Sequence, residues 1–370
     1  MKTLTKVNIV STVIFIASLG GWVFLATDYV RIRSEHPVVK GARIAQENDD
    51  DSVLNIVQAG SNSAEERNNS ILDEAVIIDD VLPEVEEEKV EPVKKKDVGK
   101  TYVRAKAAVA MDVNSEKILH NQNARDHLPI ASLTKLMTAL VVIDHISDLD
   151  REIVTIDEET CQMPTTVVGC PSSSYCFSDT LKLGEQVRAR DLLEAMLVNS
   201  ANDAAVALGN HVAGSQEAFA NLMNKKAREI GLENSHFCNA SGLDDDEHPE
   251  RKCYSSAEDV AKIVVYALKN DKYNLLWPIF KIKERWFTSV DGRLRHKYAT
   301  TNILLETMSN CQGAKTGFTY DAGKTLMMIA NHPKDKDIKV VSVILNDPYR
   351  FDDMRQLFDW IFANYEWKRL

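Results

Sequence analysis

The chain has 370 residues, of which 44% are hydrophobic and 27% charged, and its formal net charge is -11. This length suffices for one large domain or two small ones, and an acidic balance without a long Lys/Arg tract argues against a nucleic-acid partner. The six cysteines form no C-x-x-C pair and no H-E-x-x-H occurs, so the spacing predicts no zinc site.

The N-terminal region contains an apolar run of 20 residues from Val7 to Ala26, preceded by Lys2 and Lys6. At about 1.5 Å per residue, a helix of this length crosses a hydrocarbon core of about 30 Å. The apolar region of a cleaved signal peptide is usually shorter. We therefore predict a transmembrane anchor within residues 1–30, with a cleaved signal as the alternative. Arg31 and Arg33 balance the preceding lysines, so the flanking charges leave the orientation open.

Residues 31–99 have the composition of a spacer. No Phe, Tyr or Trp stands between Tyr29 and Tyr102, and most of the acidic excess lies here. Such a segment buries too little apolar surface to offset its ordering entropy, so we predict a disordered acidic linker. Globular patterning begins near residue 100 and predicts one domain over 100–370.

The predicted elements of this domain alternate between strands and helices. Periodicity and turn residues predict two hairpins, an apolar-faced helix after Ile130, a helical pair and a final amphipathic helix. In chain order these are a hairpin over 107–113 and 117–120, the helix from about 131, helices over 191–198 and 203–212, a hairpin over 325–330 and 338–345, and a helix over 351–365.

The first candidate catalytic motif is Ser132-Leu-Thr-Lys135, at the start of the helix after Ile130. Residues three apart share one helix face, so the lysine can reach the serine hydroxyl. A serine is a poor nucleophile until a base takes its proton, and desolvation can make a lysine amine such a base near neutral pH. Without further motifs, a capping serine and a lysine reaching solvent explain the pair better.

Two further motifs supply that support. Ser200 and Asn202 stand between the paired helices, where polar side chains can project into a cleft. Lys315, Thr316 and Gly317 precede the second hairpin, and we place them on a strand at a sheet edge. The lysine and threonine can bind a carboxylate, and the glycine allows a peptide backbone to approach closely.

The combination resembles the low-molecular-mass penicillin-binding proteins, the D-alanyl-D-alanine carboxypeptidases of peptidase family S11. The resemblance extends over roughly residues 100–365 and includes the segments PIASLTKLMTA (129–139), LVNSANDAAV (197–206), SGLD (241–244), YSSAED (254–259) and GAKTGFT (313–319). It implies an α+β fold like that of β-lactamases and serine transpeptidases. In that fold a mostly antiparallel sheet is flanked by helices and joined by a helical subdomain.

The resemblance also implies roles for individual residues. Ser132 is expected to be acylated, with Lys135 as its base and Ser200 and Asn202 as the proton-relay and orienting pair. Lys315 and Thr316 are expected to hold the substrate carboxylate. Gly317 is expected to let the substrate approach, while the backbone N–H groups of Ser132 and Phe318 form an oxyanion hole. No metal or cofactor is implied.

The expected substrates are peptidoglycan stem peptides, with β-lactams as covalent inhibitors. The expected location is outside the cytoplasmic membrane, with the N-terminal segment as anchor, or secreted if that segment is cleaved. Many relatives carry a β-rich domain after the catalytic one, whereas this sequence stops there, which leaves open a D,D-endopeptidase that cuts cross-links. A class A β-lactamase requires a glutamate that Glu233-Asn234 does not match. A non-hydrolytic penicillin-binding sensor is the remaining alternative.

The cysteines allow two bridges in an extracytoplasmic protein. Cys170 and Cys176 flank a Pro-Ser-Ser-Ser turn, and Cys238 and Cys253 flank an acidic loop. These pairs are the predicted disulfides, and free buried thiols are the equally weighted alternative.

Overall fold

The structure, a computed structural model, describes residues 10–18, 21–29, 90–96, 98–99, 101–172, 175–244 and 253–369, the first two ranges by backbone alone. Contacts within the chain divide it into two units, Met1–Asp80 and Val81–Leu370. The strands are β1 (Val10–Ser18), β2 (Gly21–Tyr29), β3 (Val90–Lys94), β4 (Ala107–Asp112), β5 (Ile118–Gln122), β6 (Ile153–Thr155), β7 (Gln186–Arg188), β8 (Glu284–Thr288), β9 (Arg295–Ala299), β10 (Cys311–Thr319), β11 (Gly323–His332), β12 (Asp335–Leu345) and β13 (Tyr365–Arg369). The helices are α1 (Thr134–His145), α2 (Glu158–Cys161), α3 (Ala189–Val198), α4 (Asn202–Ala213), α5 (Gln216–Ile230), α6 (Ala257–Leu268), α7 (Leu276–Ile279), α8 (Leu304–Thr307) and α9 (Arg350–Asn364).

The first unit differs from the expected apolar helix. Its described residues form β1 and β2, which pair antiparallel with Val10 opposite Tyr29 and Ser18 opposite Gly21. Many β-branched residues in this run favour extended backbone, which hydropathy alone does not register. Among the residues whose placement is described, no helix is long and apolar enough to span a bilayer. Residues 31–89 of the predicted linker lie outside the described residues.

The end of that predicted linker belongs to the second unit. Strand β3 pairs antiparallel with β13, so that Val90 lies opposite Arg369 and Lys94 opposite Tyr365. Pro92 is buried in this ribbon and lies opposite Trp367. The prediction of disorder is therefore wrong for Val90–Lys94, because a charged, aromatic-free segment can still form a strand when a partner strand supplies its backbone hydrogen bonds.

The second unit is built around a five-stranded antiparallel sheet in the order β10-β11-β12-β4-β5. Alternate residues of a strand point to opposite faces, and the two apolar clusters follow this rule. Met327 and Ile329 join the cluster that includes α1 and α6. Leu326 and Met328 join the cluster formed with α9. The sheet is therefore covered on both faces, as expected for two packed layers of helices.

Helices α3, α4 and α5 extend the first of these clusters away from the sheet. They pack on α1 and on one another, and α1 begins beside β10, where the Ala131–Leu133 turn lies against that strand. Both predicted hairpins, the paired helices and the final helix are present at close to their predicted bounds. This arrangement positions the start of α1, the α3–α4 connection and the edge strand β10 around one cleft.

Candidate active site

Lys135, the second residue of α1, lies at the centre of the site and is fully buried. Its amine is 2.9 Å from the hydroxyl of Ser132, 2.7 Å from the side-chain oxygen of Asn202 and 2.6 Å from the carbonyl oxygen of Ser241. The helix-face argument therefore places Lys135 and Ser132 correctly. Burial lowers the pKa of the Lys135 ammonium to about 7, and the nearby carboxyl of Asp203 offsets only part of this shift.

Ser132 occupies the short 3-10 turn Ala131–Leu133 that leads into α1. Ala131 has a φ of +48°, which turns the chain sharply just before the serine. The serine precedes the first α-helical residue, so the free N–H groups of a helix start surround it. This position suits a hydroxyl that passes through a negatively charged state.

The α3–α4 connection carries the second motif. Ser200 adopts a left-handed φ of +63°, and Asn202 is the first residue of α4. The amide nitrogen of Asn202 donates to the carbonyl oxygens of Thr165, at 2.8 Å, and Pro164, at 3.4 Å. These contacts direct its side-chain oxygen towards the amine of Lys135.

Strand β10 carries the third motif at the edge of the sheet. The amine of Lys315 is buried and donates to the hydroxyl of Ser200 at 2.7 Å and to the carbonyl of Thr316 at 2.8 Å. Burial holds the pKa of Lys315 well below its usual value, and the nearby positive charge of Lys135 acts in the same direction. The hydroxyl of Thr316 is 2.5 Å from that of Thr301, so the threonine is held in one orientation.

Gly317 allows β10 to pass directly beside the nucleophile. A Cβ atom at this position would collide with the hydroxyl of Thr325 and would lie 3.0 Å from the backbone nitrogen of Ser132. Any larger residue would push the strand away from the 3-10 turn. The next residue, Phe318, is 55% exposed and lines the same cleft.

The cleft has a volume of about 600 Å³. Ser132, Ser200, Thr316, Gly317 and Phe318 all line it, so the three sequence motifs meet in one place. The other residues that line the cleft are Pro164, Thr165, Thr166, Pro171, Ser172, Leu243, Asp244, Thr301, Thr319, Tyr320, Asp321 and Arg350. Glu233 is exposed and is not among the described residues that line the cleft.

Sequence reasoning missed Arg350, at the start of α9. Its guanidinium donates to the carbonyls of Gly317, at 2.7 Å, and Thr325, at 3.1 Å, and thereby holds β10 and β11 behind the cleft. Burial lowers the pKa of Arg350 to about 10, so it remains a cation at neutral pH. No local pattern marks this arginine, because its partners are backbone carbonyls about 30 residues away in sequence.

Two disulfides brace the walls of the cleft. The predicted bridges Cys170–Cys176 and Cys238–Cys253 are both present, whereas Cys161 and Cys311 are free thiols. The first bridge closes the segment that contains the lining residues Pro171 and Ser172. The second closes the segment that contains Ser241, whose carbonyl contacts Lys135.

Comparison with known proteins identifies the family. The family model for D-alanyl-D-alanine carboxypeptidase, peptidase family S11, matches residues 94–349. The D-alanyl-D-alanine carboxypeptidase DacC of Escherichia coli K12 is 34% identical over 273 residues, which are 71% of this chain and 62% of that protein. A D-alanyl-D-alanine endopeptidase of Pseudomonas aeruginosa is 30% identical over 69% of this chain and 76% of that protein.

Solved structures agree with this result. The D-alanyl-D-alanine carboxypeptidase of Mycobacterium tuberculosis H37Rv has a TM-score of 0.61 and 27% identity, covering 73% of this chain and 95% of that one. Penicillin-binding protein D2 of Listeria monocytogenes, in its cefotaxime-bound form, has a TM-score of 0.59 and 28% identity, covering 72% and 100%. The predicted penicillin-binding-protein fold is thus confirmed, and the chain belongs to the D-alanyl-D-alanine carboxypeptidase family S11.

Proposed function

We propose that the chain is a serine D,D-carboxypeptidase that removes the terminal D-alanine of peptidoglycan stem peptides through an acyl-enzyme on Ser132. The observation that carries this proposal is the 2.9 Å contact between the amine of the fully buried Lys135 and the hydroxyl of Ser132, which lines the cleft. The matched region spans 62% of the length of DacC, so the activity of that relative supports the proposal without establishing it.

Acylation begins with attack by the Ser132 oxygen on the carbonyl of the penultimate D-alanine, as neutral Lys135 takes the serine proton. The oxyanion that forms accepts hydrogen bonds from the backbone N–H groups of Ser132 and Phe318. Ser200, which touches Lys315, passes its hydroxyl proton to the departing amine and regains one from Lys135, the proton taken from Ser132, so that Lys135 is neutral again. The C–N bond breaks and free D-alanine leaves.

Deacylation reverses the same roles. A water molecule gives its proton to Lys135 and attacks the ester carbonyl, and the Ser132 oxygen leaves with a proton returned by the lysine. Asn202 keeps the amine in place through its 2.7 Å contact during both steps.

Substrate selection rests on the hydrogen-bond donors behind β10, of which the Arg350 guanidinium is a cation at neutral pH. The buried Lys315 amine and the Thr316 hydroxyl lie on β10 itself, Thr316 faces the cleft, and a bound carboxylate favours the ammonium form of Lys315. A carboxylate at the end of a peptide matches this combination of charge and hydroxyl donor. The proposed substrate therefore ends in a free carboxylate next to the scissile bond.

Cross-link cleavage is the second candidate. It is favoured by the 76% coverage of the P. aeruginosa endopeptidase, which is higher than that of DacC. Both reactions share the acylation chemistry, and an endopeptidase grips the carboxylate on the D-centre of the cross-linking diamino acid instead. The choice depends on the room beyond the terminal residue, at the wall formed by Tyr320 and Asp321.

Product analysis on defined wall peptides separates the two activities. Purified protein is incubated with a stem pentapeptide and, separately, with a cross-linked dimer, and Ser132→Ala serves as the inactive control. Release of free D-alanine from the pentapeptide is the expected main reaction. Cleavage of the dimer with an intact pentapeptide would exclude the carboxypeptidase and favour the endopeptidase.

We further propose that β-lactams acylate Ser132, supported by the cefotaxime-bound and ampicillin-bound forms of the related D2 protein. Slow hydrolysis of the penicilloyl ester together with peptide turnover distinguishes the enzyme from a sensor, which would be acylated but turn over no peptide. Rapid hydrolysis of penicillin without peptide turnover would indicate a β-lactamase.

We also propose that residues 1–30 hold the domain at the outer face of the cytoplasmic membrane, where nascent wall peptides occur. The apolar run Val7 to Ala26 supports this proposal, and a cleaved signal is the alternative. Membrane fractionation of the native chain, with N-terminal sequencing of the mature protein, tests both. Mature protein that begins after residue 26 in a soluble fraction would exclude the anchor.

A further inference from the structure

The direction of the Lys135 lone pair depends on two fixed acceptors. A neutral amine has two N–H groups and one lone pair. The side-chain oxygen of Asn202 and the carbonyl oxygen of Ser241 can only accept hydrogen bonds, so they take the two N–H groups. The lone pair is left pointing to the third neighbour, the Ser132 hydroxyl. Displacing either acceptor would release an N–H group and let the amine rotate.

The Ser241 carbonyl is a backbone group, and one side chain fixes the turn that presents it. The side-chain oxygen of Asn239 accepts from the Ser241 backbone N–H and hydroxyl, both at 3.1 Å, and from the Gly242 N–H at 2.7 Å. Its amide nitrogen donates to the Leu243 carbonyl at 3.0 Å. A single asparagine thus makes four hydrogen bonds within the turn.

The turn is pressed against the start of α1. Gly242 has a φ of +76°, and a Cβ there would collide with the carbonyl of Ala131. Two residues earlier, the Ala240 carbonyl accepts a hydrogen bond from the hydroxyl of Thr138 in α1 at 2.7 Å. These contacts place the turn against the helix, while the Asn239 side chain sets the rotation of the Ser241 peptide group.

We propose that Asn239 is a positioning residue that aims the Lys135 lone pair at Ser132 through the Ser241 carbonyl. The inference rests on the proposed acylation of Ser132 and extends it to a residue that does not touch the reacting atoms. The charged groups that act on Lys135 from the packed elements are Asp203 of α4 and Lys315 of β10. Neither is among the hydrogen-bond partners of Asn239, so both stay in place when it is changed.

The first test compares Asn239→Ala with the matched variant Asn224→Ala. Asn224 also grips this segment with two hydrogen bonds, to the backbone N–H and carbonyl of Phe237, but it does not touch the Ser241 turn. Labelled penicillin measures the acylation rate constant at saturation and the affinity of the non-covalent complex. For Asn239→Ala we expect a rate constant on the order of 10- to 100-fold lower with unchanged affinity, since a slightly misplaced base loses about this much. The acylation rate constant of Asn224→Ala should stay within about twofold of the native value, because Asn224 does not contact the turn that orients Lys135.

Asn239→Asp provides the second test. Aspartate keeps an acceptor for the Ser241 and Gly242 N–H groups, so the plateau rate should return to within about fivefold of the native value. Its negative charge favours the Lys135 ammonium, so the acidic limb of the pH–rate profile should move to higher pH. This variant decides the question even if Asn239→Ala fails to fold.

The outcomes separate a positioning role from a purely structural one. A structural role would lower the melting temperature or the labelled fraction, while each labelled molecule kept the native rate constant and pH profile. That result in Asn239→Ala, or an unshifted profile in Asn239→Asp, would overturn the inference. If the native protein is not acylated at all, the proposed function fails instead.

Discussion

The amine of Lys315 and the hydroxyl of Ser200 lie 2.7 Å apart and join the edge strand of the sheet to the helical layer. Lys315→Met should slow acylation by peptides with a free terminal carboxylate. The activation free energy should rise by on the order of 2–4 kcal/mol, the usual cost when a buried carboxylate loses its charged partner. Peptides ending in a carboxamide should lose less. Lys324→Met, which removes an exposed lysine opposite Phe318 on β11, is the matched control. Equal losses for both peptides would contradict carboxylate binding by Lys315.

Ser132→Ala should abolish covalent labelling by penicillin, because no other hydroxyl contacts Lys135 among the described hydrogen bonds of that amine. Mass spectrometry of the labelled native protein should locate the adduct on the peptide that contains Ser132. Ser115→Ala, in the turn between β4 and β5, should label normally. An adduct that persists in Ser132→Ala would refute the assigned nucleophile.

Acylation should depend on pH through Lys135. Only the neutral amine can accept the serine proton, and burial lowers its pKa to about 7. The rate should therefore fall about tenfold per pH unit below that value and level off above it. Lys135→Arg should be inactive across the range, because a guanidinium does not lose its proton. A rate that stays constant from about pH 5 to 9 would rule out this lysine as the base.

Loss of the Cys238–Cys253 bridge should destabilise the second unit. The two cysteines are 15 residues apart, and closing such a loop stabilises the native state by about 3 kcal/mol in the chain-entropy account. The double variant Cys238→Ser/Cys253→Ser should lose about that free energy of unfolding in urea. Cys161→Ser, which changes an exposed free thiol, should unfold like the native protein.

Removing β3 should lower the stability of the second unit but leave the active-site residues in place. A chain beginning at Thr101 lacks the partner of β13, whereas one beginning at Val81 retains it. We expect the shorter chain to lose on the order of 2–4 kcal/mol, since several backbone hydrogen bonds worth about 1 kcal/mol each disappear. Both chains should still be acylated by penicillin at low temperature. Identical thermal unfolding of the two would show that the ribbon contributes nothing.

Local spacing predicted much of the site. Ser132 and Lys135 are adjacent on any helix, and the apolar periodicity located that helix, so their contact followed from sequence. Ser200, Asn202 and Lys315 carried side chains whose chemistry matched one reaction, which allowed them to be grouped before any distance was known.

The features that the sequence did not predict depend on contacts with backbone groups. The Ser241 carbonyl and the Thr165 carbonyl have no side-chain signature, and every residue type offers the same group. Asn239 fixes the turn that presents the Ser241 carbonyl, and Arg350 holds the carbonyls of Gly317 and Thr325, so the importance of both side chains depends on tertiary contacts that no periodicity records. The same limit explains β3, whose sequence resembles linker until β13 is placed beside it.

The β3–β13 ribbon has a mechanical consequence. Val90 and Arg369 lie directly opposite each other, and the two strands run antiparallel. Tension applied between these ends would open the ribbon like a zipper, breaking its backbone hydrogen bonds one after another rather than all at once. The first part of any extension would therefore separate the five residue pairs of this ribbon, which lie outside the main sheet. The cleft beside β10 would keep its shape until that ribbon had opened.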